Sequence, residues 1–98
     1  MTGVARAGDS GMVHCSGYVI AGGSSDVFVN GRPAARVGDS SSVHLRPVGK
    51  KKCFPHVATI SAGSTSVLVN GRPIARVGSP LAGCTFIISG SSDVLVGL

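Results

Sequence analysis

Residues 24–40 read SSDVFVNGRPAARVGDS, and residues 64–80 read STSVLVNGRPIARVGSP. The two tracts lie forty residues apart and match through strand, turn and return. In each, a short apolar run with alternating faces (Asp26 to Val29, Ser66 to Val69) meets Asn30-Gly31 or Asn70-Gly71. Asn-Gly between such runs is a strong hairpin signal and suits a type I′ turn. Pro33 and Pro73 fix φ just after the turn, and 34–37 and 73–77 read as short return strands. A third start appears at 91–96, SSDVLV, and stops before its turn. The opening residues 1–7 supply the matching return half. The expectation is an all-β domain spanning 1–98, built from three pseudo-threefold hairpin repeats that close on themselves. Closure of that kind removes a free sheet edge.

The same register exposes a recurring position. Eight residues after Arg36 stands His44, eight after Arg76 stands Cys84, and eight after Arg6 stands His14. All three are good zinc ligands. The segment between His44 and Ser64 is the longest connection and holds His56, the remaining histidine of the chain. It reads as an inserted loop restrained by Pro47 and Pro55. His14, His44, His56 and Cys84 are thus a candidate tetrahedral set for one structural Zn²⁺. Cys53, three residues before His56, is an alternative fourth ligand. Cys15 adjoins His14, and neighbours in an extended segment face opposite ways, so it reads as buried filler.

Composition agrees with a strand-rich fold stapled by metal. The 98 residues include 15 Gly, no Trp, one Tyr and three Phe, so the core must be aliphatic and close-packed. Three cysteines are an odd number, which excludes a full disulfide framework. A thiolate made in a reducing cytosol more readily binds metal. No run approaches the length of a membrane helix, and the first ten residues lack the apolar segment of a signal peptide.

The formal charge is +5, and a basic zinc module that binds nucleic acid is one alternative. Against it, the basic residues are spread by the repeat and aromatic platforms are scarce. A small zinc-dependent toxin enzyme is another, since Gly8-Asp9-Ser10 and Gly38-Asp39-Ser40 look like a lipase-type signature. That tripeptide recurs in repeat register, as a turn should, and the chain has no Glu to act as base at a metal.

Pro33-Ala34-Ala35-Arg36 spells the motif that names the PAAR-repeat family, and Pro73-Ile74-Ala75-Arg76 varies it by one apolar residue. The whole chain resembles the small stand-alone PAAR proteins that cap the spike of the bacterial type VI secretion system. The resemblance implies one zinc held by three His and one Cys near the vertex, which maps onto His14, His44, His56 and Cys84. It also implies a sharp conical β-domain without catalysis, seated by its broad base on the blunt end of a VgrG homotrimer, one copy per trimer. Such a monomer would be assembled in the cytoplasm and exported by the secretion machine. It would travel with effector proteins and touch the target membrane in passing, with no nucleic-acid partner. Val27, Val29, Val67, Val69, Val94, Leu95 and Val96 are the candidates for core and base, undivided between the two.

Overall fold

The computed structural model describes residues 1–13, 15–48 and 52–97. Among them every regular element is a strand: β1 (Thr2–Gly3), β2 (Phe28–Val29), β3 (Arg32–Pro33), β4 (His44–Val48), β5 (Lys52–His56), β6 (Leu68–Val69), β7 (Arg72–Pro73) and β8 (Leu95–Val96). β2 pairs with β3 and β6 with β7, each antiparallel across its Asn-Gly turn. Asn30 and Asn70 have φ of 54° and 55°, followed by Gly31 at 77° and Gly71 at 79°. Positive φ at both central residues is what a type I′ turn needs. β1 pairs with β8, Thr2 opposite Val96 and Gly3 opposite Leu95, so residues from the two ends of the chain make a third such pair.

The strands are shorter than the four-residue runs read from the sequence, because each return segment soon leaves its own strand for the neighbouring repeats. Ala5 N donates to Ala75 O at 2.9 Å, Ala75 N to Ala35 O at 2.9 Å, and Ala35 N to Ala5 O at 3.0 Å. These bonds form a closed ring. The three alanines are fully buried, and their small side chains suit so close a meeting of backbones. A second set follows: Gly8 N to Ile20 O, Gly38 N to Ile60 O and Gly78 N to Ile87 O, all at 2.8 Å. Gly8, Gly38 and Gly78 have φ of 92–94°, a conformation that a side chain would strain.

Two apolar clusters line this frame. One gathers Ala5, Ala35 and Ala75 with Ile20, Ile60, Ile87 and Tyr18, and Cys84 packs against it. The other holds Val4, Val29, Ala34, Val69, Ile74 and Val96. The candidate apolar strand residues therefore divide. Val29, Val69 and Val96 are core, whereas Val27, Val67, Val94 and Leu95 are exposed. Phe28 and Leu68, at the positions equivalent to Leu95, are exposed too. Strand alternation accounts for Phe28, Leu68 and Leu95, which face away from the neighbouring core valines; Val27, Val67 and Val94 lie just before the strands, outside their pleat.

The tripeptides Gly8-Asp9-Ser10 and Gly38-Asp39-Ser40 are salt-bridged turns. Asp9 accepts from Arg6 N at 2.7 Å, Arg6 Nε at 3.0 Å and Arg32 Nη2 at 3.0 Å. Asp39 repeats the pattern with Arg36 N at 2.8 Å and Arg36 Nε at 3.0 Å, and Arg72 Nη2 lies 3.6 Å away.

The long connection is not the loop read from its prolines. It is the longest hairpin of the described structure, β4 against β5 in register from His44↔His56 to Val48↔Lys52. Pro47 and Pro55 fall at alternate pairs, Pro47↔Cys53 and Leu45↔Pro55. At those pairs the backbone N–H points away from the partner strand, so proline loses no ladder bond. Leu45 N accordingly turns outward and donates to Ser16 Oγ at 2.9 Å.

Candidate metal centre

His44 and His56 face each other across β4 and β5, so their side chains leave the same face of the hairpin. Cys84 reaches them from the turn after Leu81, where its N–H donates to Leu81 O at 3.0 Å. His44 Nε2 lies 2.7 Å from His56 Nε2 and 3.4 Å from Cys84 Sγ, and Cys84 Sγ lies 3.7 Å from His56 Nε2. Zinc bond lengths place tetrahedral ligand atoms about 3.3 Å apart for N to N and about 3.5 Å for N to S. The two distances to sulfur fit that frame. The two nitrogens need to part by about 0.6 Å to admit an ion. Residues His44, His56 and Cys84 could hold a metal, and two imidazoles with a thiolate are a donor set suited to zinc.

The surroundings orient the donors. His44 is buried, and its Nδ1–H donates to the Ser42 carbonyl at 2.8 Å. A carbonyl can only accept, so the proton is on Nδ1, and the Nε2 lone pair is directed at His56 and Cys84. The His44 ring stacks on Tyr18 with centroids 4.2 Å apart and planes inclined by 21°. Tyr18 is fixed by a bond between its hydroxyl and Thr85 Oγ1 at 3.0 Å. Burial holds its phenol pKa above the ordinary value, and the nearby Cys84 adds to the shift.

Of the four ligand candidates the structure brings three together: His44, His56 and Cys84. His14 lies outside the described residues. Cys15 and Cys53 differ from their sequence reading. They are joined as a disulfide, so Cys15 is not filler and Cys53 has no thiolate to offer as a ligand. The geometry explains both. Cys53 is an odd number of positions from His56 on one strand, and its side chain leaves the other face of the hairpin. Cys84 takes no part in a disulfide.

A family model described as PAAR motif matches residues 2–43 and 52–98. No curated protein matches the chain.

Proposed function

The chain belongs to the PAAR motif family, and on that premise we propose that it caps a type VI secretion spike. In this reading one copy seats on the blunt end of a VgrG homotrimer and presents a metal-stapled point to a target-cell envelope. One observation carries the proposal: three like strand pairs expose matching apolar pairs, Val27 with Phe28, Val67 with Leu68, and Val94 with Leu95. Large apolar groups repeated in register, each beside a buried valine, suit a partner that is itself threefold. Exposed apolar groups gathered in a patch commonly mark a protein interface.

The metal in this reading is one structural Zn²⁺ held by His44, His56, Cys84 and His14. Four protein ligands leave no open coordination position, which favours a staple over a catalytic ion. The two Gly-Asp-Ser tripeptides support a non-catalytic role as well, because their carboxylates are engaged by Arg6 and Arg36. The domain would work as a monomer on its trimer, travel with effector proteins and leave the cytoplasm with the spike.

The test is co-purification with a VgrG homotrimer from the same cell. Phe28→Asp, Leu68→Asp and Leu95→Asp combined should abolish capture while leaving the melting temperature within a few degrees, since the three side chains are exposed. Leu95→Asp alone should weaken it. Normal capture of the triple variant refutes the interface.

A further inference from the structure

The salt-bridged turn occurs three times, and its third copy lacks its acid. Asp9 and Asp39 correspond to Ser79, and Arg6 and Arg36 correspond to Arg76. The covering residues Arg32 and Arg72 correspond to Thr2. In the first two copies the arginine has two anchors besides its backbone. Arg6 Nη1 donates to Asn30 Oδ1 and Arg36 Nη1 to Asn70 Oδ1, both at 2.9 Å, while their Nε groups meet Asp9 and Asp39. The residue equivalent to those asparagines after β8 is Gly97. In the third copy Arg76 N donates to Ser79 Oγ at 3.0 Å. Arg76 Nε is nonetheless buried with no hydrogen-bond partner among the described residues.

A second group is stranded at the corresponding place. Thr2 Oγ1 is also buried and without a partner among the described residues. Thr2 holds the position from which Arg32 and Arg72 reach the carboxylates of the other copies. The turn is also uncovered there. A methyl group on Gly8 would meet Arg32 Nη2 at 3.4 Å, and one on Gly38 would meet Arg72 Nη1 at 3.0 Å. One on Gly78 would meet nothing within 4 Å among the described residues. A cation that loses its charged partner, a stranded hydroxyl and an uncovered turn thus coincide. Buried donors without acceptors are rare and costly, and a guanidinium edge matches a planar two-oxygen anion best.

We propose that this third copy is a binding slot for a carboxylate supplied from outside the chain. The anion takes the place that Asp9 and Asp39 fill in the other two copies. One oxygen accepts from Arg76 Nε and the other from the terminal nitrogens of the same guanidinium. The Thr2 hydroxyl donates in place of the second arginine. Serine stops short of the guanidinium edge where aspartate reaches it, and the guest is met when the Arg76 side chain turns toward the uncovered face of the turn. The carboxylate comes from a free small acid or from the side chain of an acidic residue on a docked protein. The slot rests on the repeat comparison and does not depend on the capping role.

The test is titration of the metal-loaded full chain, labelled with ¹⁵N, at constant ionic strength. Sodium formate is one probe, and the side-chain carboxylate of N-acetyl-aspartate amide is the other. The Arg76 Nε–H resonance should shift saturably with formate. Ser79→Asp, which supplies the carboxylate in cis, should melt higher and lose the response. Thr2→Val should bind about tenfold more weakly, as expected when a donor to a charged group is removed. Saturation by both probes assigns the slot to carboxylates wherever they are carried, and saturation by formate alone assigns it to free small acids. No saturable shift with either probe overturns the proposal, as does a Ser79→Asp variant that responds like the parent.

Discussion

Replacing Cys15 and Cys53 together by serine should cost the protein a large share of its thermal stability. The bond spans 38 residues of a 98-residue chain, so it closes a long loop in the unfolded state. The chain-entropy relation gives about 4 kcal/mol for a loop of that length, and measured disulfides typically deliver about 2–4 kcal/mol. At about 4–8 °C per kcal/mol for a domain near this size, the melting temperature should fall by about 8–32 °C. The double serine variant is preferable to a reductant, which would also compete for metal at Cys84. Parent and variant should be melted in parallel after oxidative purification, with metal content measured in both. A thiol titration of the denatured, metal-free parent should find one reactive thiol, that of Cys84, which is outside the disulfide. Three titrating thiols would refute the pairing. An unchanged melt in a variant of equal metal content would refute the loop-entropy reasoning.

Removing the metal with a strong chelator should lower the melting temperature steeply, since ligand binding of this type contributes ~10–16 kcal/mol in zinc-finger peptides. His56→Ala should copy the chelated protein and lose bound metal on elemental analysis. Retention of one zinc per chain in that variant would remove His56 from the ligand set. Asp9 should make stability fall in acid. Burial alone would raise its pKa, but hydrogen bonds from Arg6 and from Ser89 outweigh it and hold the carboxyl below its ordinary value of 3.8. The unfolded chain then binds the proton first as pH drops, so the contribution is complete above about pH 4 and disappears below it. The gap in melting temperature between parent and Asp9→Asn should close over that interval, and a gap constant down to pH 2 would refute the assignment.

The repeat and its turns were legible because they are local. An Asn-Gly pair between alternating apolar residues encodes its hairpin within a few positions, and a forty-residue register needs no knowledge of packing. His44 and Cys84 followed from that register, and they meet in the structure. His56 was reached only as the remaining histidine. The stronger reason, its cross-strand pairing with His44, was hidden because two prolines made the segment look like a loop. Prolines at alternate pairs of a two-stranded ladder are compatible with a strand, and the spacing of Pro47 and Pro55 would have allowed it. The disulfide was missed for a related reason. Alternation was applied to Cys15 beside His14 but not to Cys53, which by the same rule turns away from His56. Each cysteine is an odd step from a ligand candidate, and that shared phase was the available signal. Alternation puts Leu95 on the surface once Val96 is known to point inward, but it would also have buried Val27, Val67 and Val94, which are exposed because the paired strands begin only after them.

These two readings meet on one strand. β5 carries His56 on one face and Cys53 on the other, so the candidate metal cluster lies on one side of the hairpin and a covalent bond on the other. Beyond these, the hairpin is joined to the rest by the Leu45–Ser16 hydrogen bond and by the stacking of His44 on Tyr18. The β5 residues from Lys52 to Pro55 are exposed, and the ring of Ala5, Ala35 and Ala75 closes without them. A hairpin with so little buried area cannot stay docked through apolar contact alone. Loss of either clamp should therefore leave the hairpin tethered, while loss of both should free it and spare the alanine ring. Amide exchange can separate the two cases. In the doubly released protein the ladder amides of His44, Arg46 and His56 should exchange like an open chain, while those of Ala5, Ala35 and Ala75 stay protected. Simultaneous loss of protection in both regions would mean that hairpin and ring unfold as one unit, and would refute the separate release of the hairpin.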